Sequence, residues 1–128
     1  NDGEILLNGP TMLRCYRDGS VPFDEAGWYH TGDIGSVDAD SGLLRVDGRS
    51  DDMIITGGEN VWPHLAERVL EHHPAIAEVA VVGRPDPEWG QRVTAALVLA
   101  PGATTPELSE LRDLVKADLP AFYAPKAI

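Results

Sequence analysis

Two long apolar runs constrain the fold of this chain more than any other feature. Residues 78–83 (EVAVVG) and 93–100 (VTAALVLA) are rich in β-branched and small apolar side chains and have few polar positions. Strands of this kind are typical of the interior of a sheet, because a strand with one solvated face alternates apolar and polar residues. The runs therefore predict two central strands.

Two amphipathic segments are predicted to form the helices that flank this sheet. Pro63 can occupy the first turn of a helix whose apolar residues lie on one face, and Pro74 is expected to stop it. A second helix is predicted from residues 105–107 (TPE), where a hydroxyl, a proline and an early acid make a good start, and Pro120 ends it. These elements predict an α+β fold for this half of the chain.

The first part of the chain is predicted to be β-rich. Residues 4–8 form a strand that breaks at Gly9-Pro10, and residues 12–16 could extend the sheet. Residues 34–38 and 43–47 flank the turn-prone ADSG segment as a hairpin. We place the boundary after residue 50, which leaves a β-rich piece at 1–50 and a compact α+β domain at 51–128.

Charge and cysteine content exclude several classes of protein. Asp+Glu 21 against Lys+Arg 10 gives a net charge of −11, which argues against nucleic-acid binding and attraction to anionic membranes. The lone Cys15 excludes an internal disulfide, and the histidines lack ligand spacing, so no metal site is expected. Without a membrane-spanning run or a signal peptide, we expect a cytoplasmic protein. The chain begins close to a strand without a methionine, so we expect a fragment.

Four short motifs carry candidate binding chemistry, each with a structural alternative. Asp33, in a predicted tight turn (TGD), could accept hydrogen bonds from a ribose diol or support its own turn. Arg49 could bind ribose or phosphate oxygens or pair with a nearby aspartate. Residues 56–60 (TGGEN) could bring backbone close to a ligand or merely connect a strand to a helix as an irregular loop. Trp89, on a loop, could stack on an adenine or cap the core.

The order of these motifs resembles the adenylate-forming superfamily, which includes acyl-CoA synthetases, adenylation domains of peptide synthetases and firefly luciferase. The motifs are GWYHTGD at 27–33, GRSDDMI at 48–54 and GGENVWP at 57–63, and the resemblance covers essentially the whole chain. The GGENxxP form is more similar to the fatty- and aryl-acid CoA ligases than to the peptide synthetase branch.

This resemblance implies a large N-terminal domain that binds ATP and the acid, and a small C-terminal lid that rotates between two half-reactions. The carboxylate first attacks ATP to give acyl-AMP and pyrophosphate, and the CoA thiol then takes the acyl group. Residues 1–50 would end the large domain, and residues 51–128 would belong to the lid. The implied partners are a carboxylic acid, ATP with Mg²⁺, CoA and the missing N-terminal domain, without a tightly bound cofactor.

The resemblance also implies roles for individual residues. Asp33 and Arg49 would bind the ribose of ATP or AMP, and Asp51 would be the hinge. The residues implied in CoA binding are Gly57, Gly58, Glu59, Trp89, Phe122 and Lys126.

The sequence departs from the family at its catalytic lysine. That lysine follows a glycine-containing turn beyond the segment matching 121–128, and neither Lys116 nor Lys126 has this context. We therefore expect no catalytic residue in this chain and no activity from it alone. Pyrophosphate release by the isolated chain would contradict this. Two alternatives stay open: an enzyme that loads a phosphopantetheine carrier protein, and a non-catalytic module that binds a nucleotide or a protein.

Overall fold

The chain is mixed α and β, as predicted. The computed structural model describes residues 3–128, which divide into two compact units between Asp51 and Asp52. The first unit contains a three-stranded sheet, and the second contains a four-stranded sheet with two α-helices. That the first unit ends a larger domain stays a prediction.

The first unit is an antiparallel sheet in the order β1-β2-β3. Its strands are β1 (Glu4–Leu7), β2 (Tyr29–Val37) and β3 (Leu44–Arg49). The predicted hairpin is confirmed: β2 and β3 pair around a turn in which Asp38 Oδ1 accepts the N–H of Ser41 at 2.7 Å. β2 extends further toward the N-terminus than the apolar pattern indicated.

Two predictions in this unit are wrong. Residues 12–16 are not a strand, because local turns satisfy their backbone: the N–H of Met12 donates to Gly9 O at 3.2 Å and that of Tyr16 donates to Ser20 O at 2.8 Å. Asp33 does not lie in a tight turn but inside β2, where it pairs with Arg49 of β3. Gly32 of the TGD motif has a positive φ within β2, so this glycine accommodates an irregularity in the strand and not a reversal of the chain.

The second unit packs two helices with an antiparallel sheet in the order β5-β4-β7-β6. Pro63 begins its first helix, as predicted. Leu70, Val61, Val93, Leu111 and Val115 are fully buried in its core. The elements are β4 (Ile54–Thr56), β5 (Glu59–Val61), α1 (Pro63–Leu70), β6 (Ile76–Asp86), β7 (Gly90–Leu99) and α2 (Leu108–Asp118), with a 3₁₀ turn at Ala121–Tyr123. A further 3₁₀ turn, Ser50–Asp52, lies at the boundary of the two units.

Of the two apolar runs, only β7 is central. β6 is an edge strand in the described sheet, and Glu67 Oε1 of α1 accepts the N–H of Val81 at 2.8 Å. Val82 and Val98 are 40% and 53% exposed, so one face of this strand pair is open in the described part of the chain. The apolar composition predicted the strands correctly but not the position of β6.

Two boundaries differ from the prediction. α2 begins at Leu108 with Glu107 as its N-cap, and Pro106 is buried instead of starting the helix, so the hydroxyl of Thr105 is not the cap. Residues 57–60 are not an irregular loop, because Thr56 pairs with Glu59 and closes a β-hairpin. Within residues 3–128, no helix is long and apolar enough to cross a membrane.

Candidate functional site

The guanidinium of Arg49 contacts several polar groups at one end of the first sheet. Its Nη1 lies 3.3 Å from Asp33 Oδ1 and donates to Thr31 O at 3.2 Å, and its Nη2 lies 3.7 Å from Asp51 Oδ2. Both members of the Asp33–Arg49 pair are partly exposed, with side-chain exposures of 36% and 52%. The pair thus presents carboxylate acceptors and guanidinium donors beside each other at an accessible position.

Gly32 lets the chain pass beneath this guanidinium. Its φ of +72° is in the left-handed region, and a Cβ at this position would lie 3.0 Å from Arg49 Nη2. Thr31 fixes the neighbouring backbone, since its hydroxyl donates to Ile5 O at 2.8 Å and accepts the N–H of Asp33 at 3.0 Å. The TGD motif therefore positions the Asp33 carboxylate through strand geometry.

A histidine network that the sequence interpretation missed adjoins this motif. His30 Nδ1 lies 3.0 Å from Glu4 Oε2, and His30 Nε2 lies 3.3 Å from Asp24 Oδ2. Glu4 Oε1 also accepts the N–H of Gly32 at 3.2 Å, so the network connects β1, β2 and the loop before β2. The sequence indicated this network only through the position of His30 inside the GWYHTGD motif.

We expect His30 to titrate above the usual value for histidine. The hydrogen bond to Glu4, and to a smaller extent the one to Asp24, raise the pKa of His30 above 6.5, because both carboxylates favour the imidazolium. Since the folded-state pKa is the higher one, this stabilisation is complete below about pH 6.5 and is lost as pH rises through the folded-state pKa. A histidine-ring NMR titration should show the raised midpoint, and Glu4→Gln should lower it.

Glu25→Gln is the matched control for this titration, because it removes a carboxylate from the same loop region without a contact to His30 in the described structure. It should leave the midpoint nearly unchanged. A wild-type midpoint at or below 6.5 would show that the network does not hold the charged ring.

The second unit brings three predicted CoA-binding residues together, and we call Gly57, Trp89 and Lys126 the Trp89 cluster. The N–H of Gly57 donates to Trp89 O at 2.9 Å, and a Cβ on Gly57 would lie 2.8 Å from Trp89 Cε3. Lys126 Nζ lies 3.4 Å from the centroid of the indole, in a cation–π contact. Trp89 is 40% exposed, so an aromatic ring, an ammonium and a glycine turn form one accessible surface.

Backbone contacts of neighbouring segments hold the Trp89 cluster in place. Gly57 and Gly58, with φ of +60° and +85°, form the two-residue turn between β4 and β5. The N–H of Lys126 donates to Val93 O at 2.8 Å, which fixes the end of the chain beside β7. Asp86 Oδ1 accepts the N–H of Trp89 at 3.1 Å and so shapes the turn that presents the indole.

The remaining predicted site residues have other surroundings. Glu59 is exposed at the start of β5. Phe122 packs against the core, and its ring contact in the described structure is with Tyr123, at a centroid distance of 5.1 Å. Asp51 lies in a three-residue 3₁₀ turn with its side chain 82% exposed, at the boundary of the two units. The roles predicted for these residues stay predictions.

Two residues matter to this geometry although the sequence analysis assigned no role to them. Asp86 caps the turn before Trp89, and Gln91 Oε1 accepts the N–H of Ile55 at 2.7 Å. The turn-rich RPDP segment pointed toward Asp86, whereas no local pattern pointed to the contact of Gln91. In residues 3–128, no group of three or more acidic, histidine or cysteine side chains is arranged to hold a metal ion.

Comparison with known proteins identifies the family. Residues 66–128 match the family described as AMP-binding enzyme C-terminal domain. The chain is 42% identical to a probable 2-succinylbenzoate–CoA ligase of Mycobacterium tuberculosis, in an alignment that covers 98% of this chain and 34% of that protein.

Two solved structures agree with this match. One is o-succinylbenzoate CoA synthetase from Bacillus subtilis with an acyl-adenylate intermediate, at 38% identity and a TM-score of 0.80, and the other is an amide bond synthetase from Marinactinospora thermotolerans, at 38% identity and 0.76. Each alignment covers 98% of this chain and 26% of the other, so the chain spans a minor part of the length of these proteins. The resemblance of the sequence motifs is thereby confirmed, and the chain belongs to the adenylate-forming superfamily, in the region of its C-terminal domain.

Proposed function

We propose that this chain is the C-terminal part of an ATP-dependent acyl-CoA synthetase. The reaction converts a carboxylic acid, ATP and CoA into acyl-CoA, AMP and pyrophosphate through an acyl-adenylate. The observation that carries the proposal is the Trp89 cluster in a chain 42% identical to a CoA ligase. An indole face, an ammonium and accessible glycine backbone suit a ligand that combines an adenine ring, phosphates and a thin pantetheine arm.

The first unit binds the ribose of the nucleotide in this proposal. The Asp33 carboxylate accepts hydrogen bonds from the vicinal hydroxyls, and Arg49 contacts the same sugar with its guanidinium. The 3.3 Å contact between the two side chains holds them side by side before the ligand arrives. Because the two side chains are already held in place, less side-chain entropy is lost when the nucleotide binds.

The hinge role of Asp51 follows from the need for two different transition states. The first half-reaction breaks a phosphoanhydride bond, whereas the second breaks the bond between the acyl carbon and AMP. One arrangement of donors cannot be preorganised for both, and a pivot of one or two residues can exchange them. Asp51 is exposed and adjoins the boundary between the units, which supports this assignment.

The second unit serves the CoA thiol in the proposed scheme. The thiolate attacks the carbonyl carbon of the acyl-adenylate, the new C–S bond forms, and AMP leaves with the electrons of the broken C–O bond. Trp89 stacks on the CoA nucleotide with Phe122 nearby, Lys126 meets its phosphates, and the turn Gly57–Gly58 with Glu59 lines the pantetheine arm. Mg²⁺ accompanies ATP, and we assign no ligand for it in this chain.

The proposal is tested with the full protein that carries this chain. We expect ATP-dependent formation of a thioester with free CoA, with release of AMP, when a panel of aryl and fatty acids that includes 2-succinylbenzoate is supplied. Acylation of a phosphopantetheine carrier protein in place of CoA would favour the carrier-loading alternative. Binding of AMP without any adenylate formation would favour the non-catalytic module, and either result would overturn the proposal.

Arg49→Ala should weaken nucleotide use, whereas Arg45→Ala should not. Both arginines lie on β3 and pair with an aspartate, but Arg45 is 74% exposed and bonds only Asp47 among the described ion pairs, at 2.8 Å. Loss of charge-assisted hydrogen bonds to ribose should raise the KM for ATP about tenfold in Arg49→Ala. Pyrophosphate release without CoA measures this, and equal effects of the two variants would contradict the ribose-binding role.

A further inference from the structure

Strands β4 and β7 are neighbours, but their pairing ends after one position. Thr56 pairs with Gly90, and no further register pair follows in the described structure. A continued antiparallel ladder would place Ile55 opposite Gln91. At this position the side chain of Gln91 makes the contact instead, since its Oε1 accepts the N–H of Ile55 at 2.7 Å.

Gly83 on β6 provides the space for this side chain. A Cβ on Gly83 would lie 2.9 Å from Gln91 Nε2 and 3.1 Å from Ile54 Cγ2. Gly83 is not among the glycines with positive φ, so backbone conformation does not require a glycine here. Its lack of a side chain lets the amide lie across β6 and reach toward β4.

The contact of Gln91 determines how the β4–β5 hairpin is held. The hairpin is joined to the Trp89 turn at one place, where Thr56 pairs with Gly90 and the N–H of Gly57 donates to Trp89 O at 2.9 Å, and attachment at one place leaves freedom to pivot. The bond from Ile55 to Gln91 adds a second point of attachment on the same strand. Two points fix the glycine turn against the indole, whose Cε3 leaves no room for a side chain on Gly57.

We propose that Gln91, seated over Gly83, is a positioning residue for thioester formation because it holds the Gly57–Gly58 turn in the Trp89 cluster. The assignment rests on the proposed function. Gln91 acts through the turn and does not itself touch the acyl group. The ribose-binding pair Asp33–Arg49 belongs to the other unit, so the variant effects should fall on the thiol-transfer step.

The test compares Gln91→Leu, Gln91→Glu and Gly83→Ala in the full enzyme. Gln91→Leu should lower kcat/KM for CoA about 10- to 100-fold and change pyrophosphate release without CoA by less than about twofold. Gln91→Glu retains an oxygen acceptor and should stay within about threefold of wild type, while Gly83→Ala should resemble Gln91→Leu.

Thr94→Val is the matched control, because it removes a polar group of β7 whose described side-chain bond is the local one to Arg92 O at 3.2 Å. It should leave both half-reactions nearly unchanged. Equal losses in the two half-reactions of Gln91→Leu, or unchanged use of CoA, would overturn the positioning role.

A second measurement separates this inference from the proposed function. If the wild-type enzyme forms no thioester, the proposed function fails, and hydrogen exchange of the Ile55 amide still tests whether Gln91 holds the hairpin. Exchange that is faster in Gln91→Leu but not in Gln91→Glu supports the attachment, because only leucine removes the acceptor. Equal exchange in all variants overturns it.

Discussion

Replacing Gly57 with alanine is expected to lower the rate of thioester formation about 100-fold in the full enzyme. The new methyl group would lie 2.8 Å from Trp89 Cε3 and 3.1 Å from Cζ3, closer than carbon atoms pack. Either the indole or the turn must shift, and both belong to the surface that we propose binds CoA. Because Lys126 stacks on the same ring, its ammonium would move with the indole. Acyl-CoA production under saturating ATP measures this loss.

Gly58→Ala provides the matched control. Both glycines have positive φ, so alanine costs about 1 kcal/mol of backbone strain at either position. A Cβ on Gly58 meets nothing within 4 Å, so this variant introduces strain without the collision. We therefore expect a loss in Gly58→Ala about tenfold smaller than that in Gly57→Ala.

A double variant distinguishes the collision from other effects of Gly57→Ala. In the Trp89→Ala background the indole is absent, so adding Gly57→Ala should cost little more than Gly58→Ala does. Full additivity of Trp89→Ala and Gly57→Ala would mean that the two residues act independently. Similar rates for Gly57→Ala and Gly58→Ala would contradict the packing explanation.

Leu111→Ala is expected to destabilise the second unit by about 2–5 kcal/mol. Leu111 is fully buried on α2 in the same core as Leu70 and Val115, so truncation leaves a cavity that these neighbours fill only in part. Ser109→Ala, on the exposed face of the same helix, should change stability by less than about 0.5 kcal/mol.

Urea unfolding measures this difference if the signal comes from the second unit alone. The 128-residue chain contains three tryptophans, and in a Trp28→Phe background of this chain the remaining Trp62 and Trp89 both belong to that unit. A midpoint shift in Leu111→Ala no larger than that in Ser109→Ala would show that Leu111 does not support the core. The two units can unfold in separate transitions, so the fluorescence signal has to report on the second unit alone.

Local chemistry explains the elements that the sequence predicted correctly. Pro63 begins α1 because proline fits the first helical turn, and Gly42 in the ADSG segment adopts φ +69° in the turn between β2 and β3. Each of these signals acts within a few residues. The order of the motifs was also sufficient to identify the family.

Predictions that depended on neighbours in space were less successful. The apolar run of β6 looks like an interior strand, yet it lies at an edge of the described sheet, where α1 supplies Glu67 as a partner. Asp33 looks like a turn residue, yet its pairing with Arg49 keeps it in β2. In both cases a contact distant in sequence overrides the local preference.

The amino-acid sequence alone therefore determined the two helices, the two long apolar strands, the β2–β3 hairpin, the family and the residue types available for binding, because these depend on local conformational preference and motif order. Only the tertiary structure decided that Gly57, Trp89 and Lys126 share one surface and that Gln91 bridges β4 and β7. The physical reason is that steric exclusion and hydrogen bonding act between atoms close in space, wherever their residues lie along the chain.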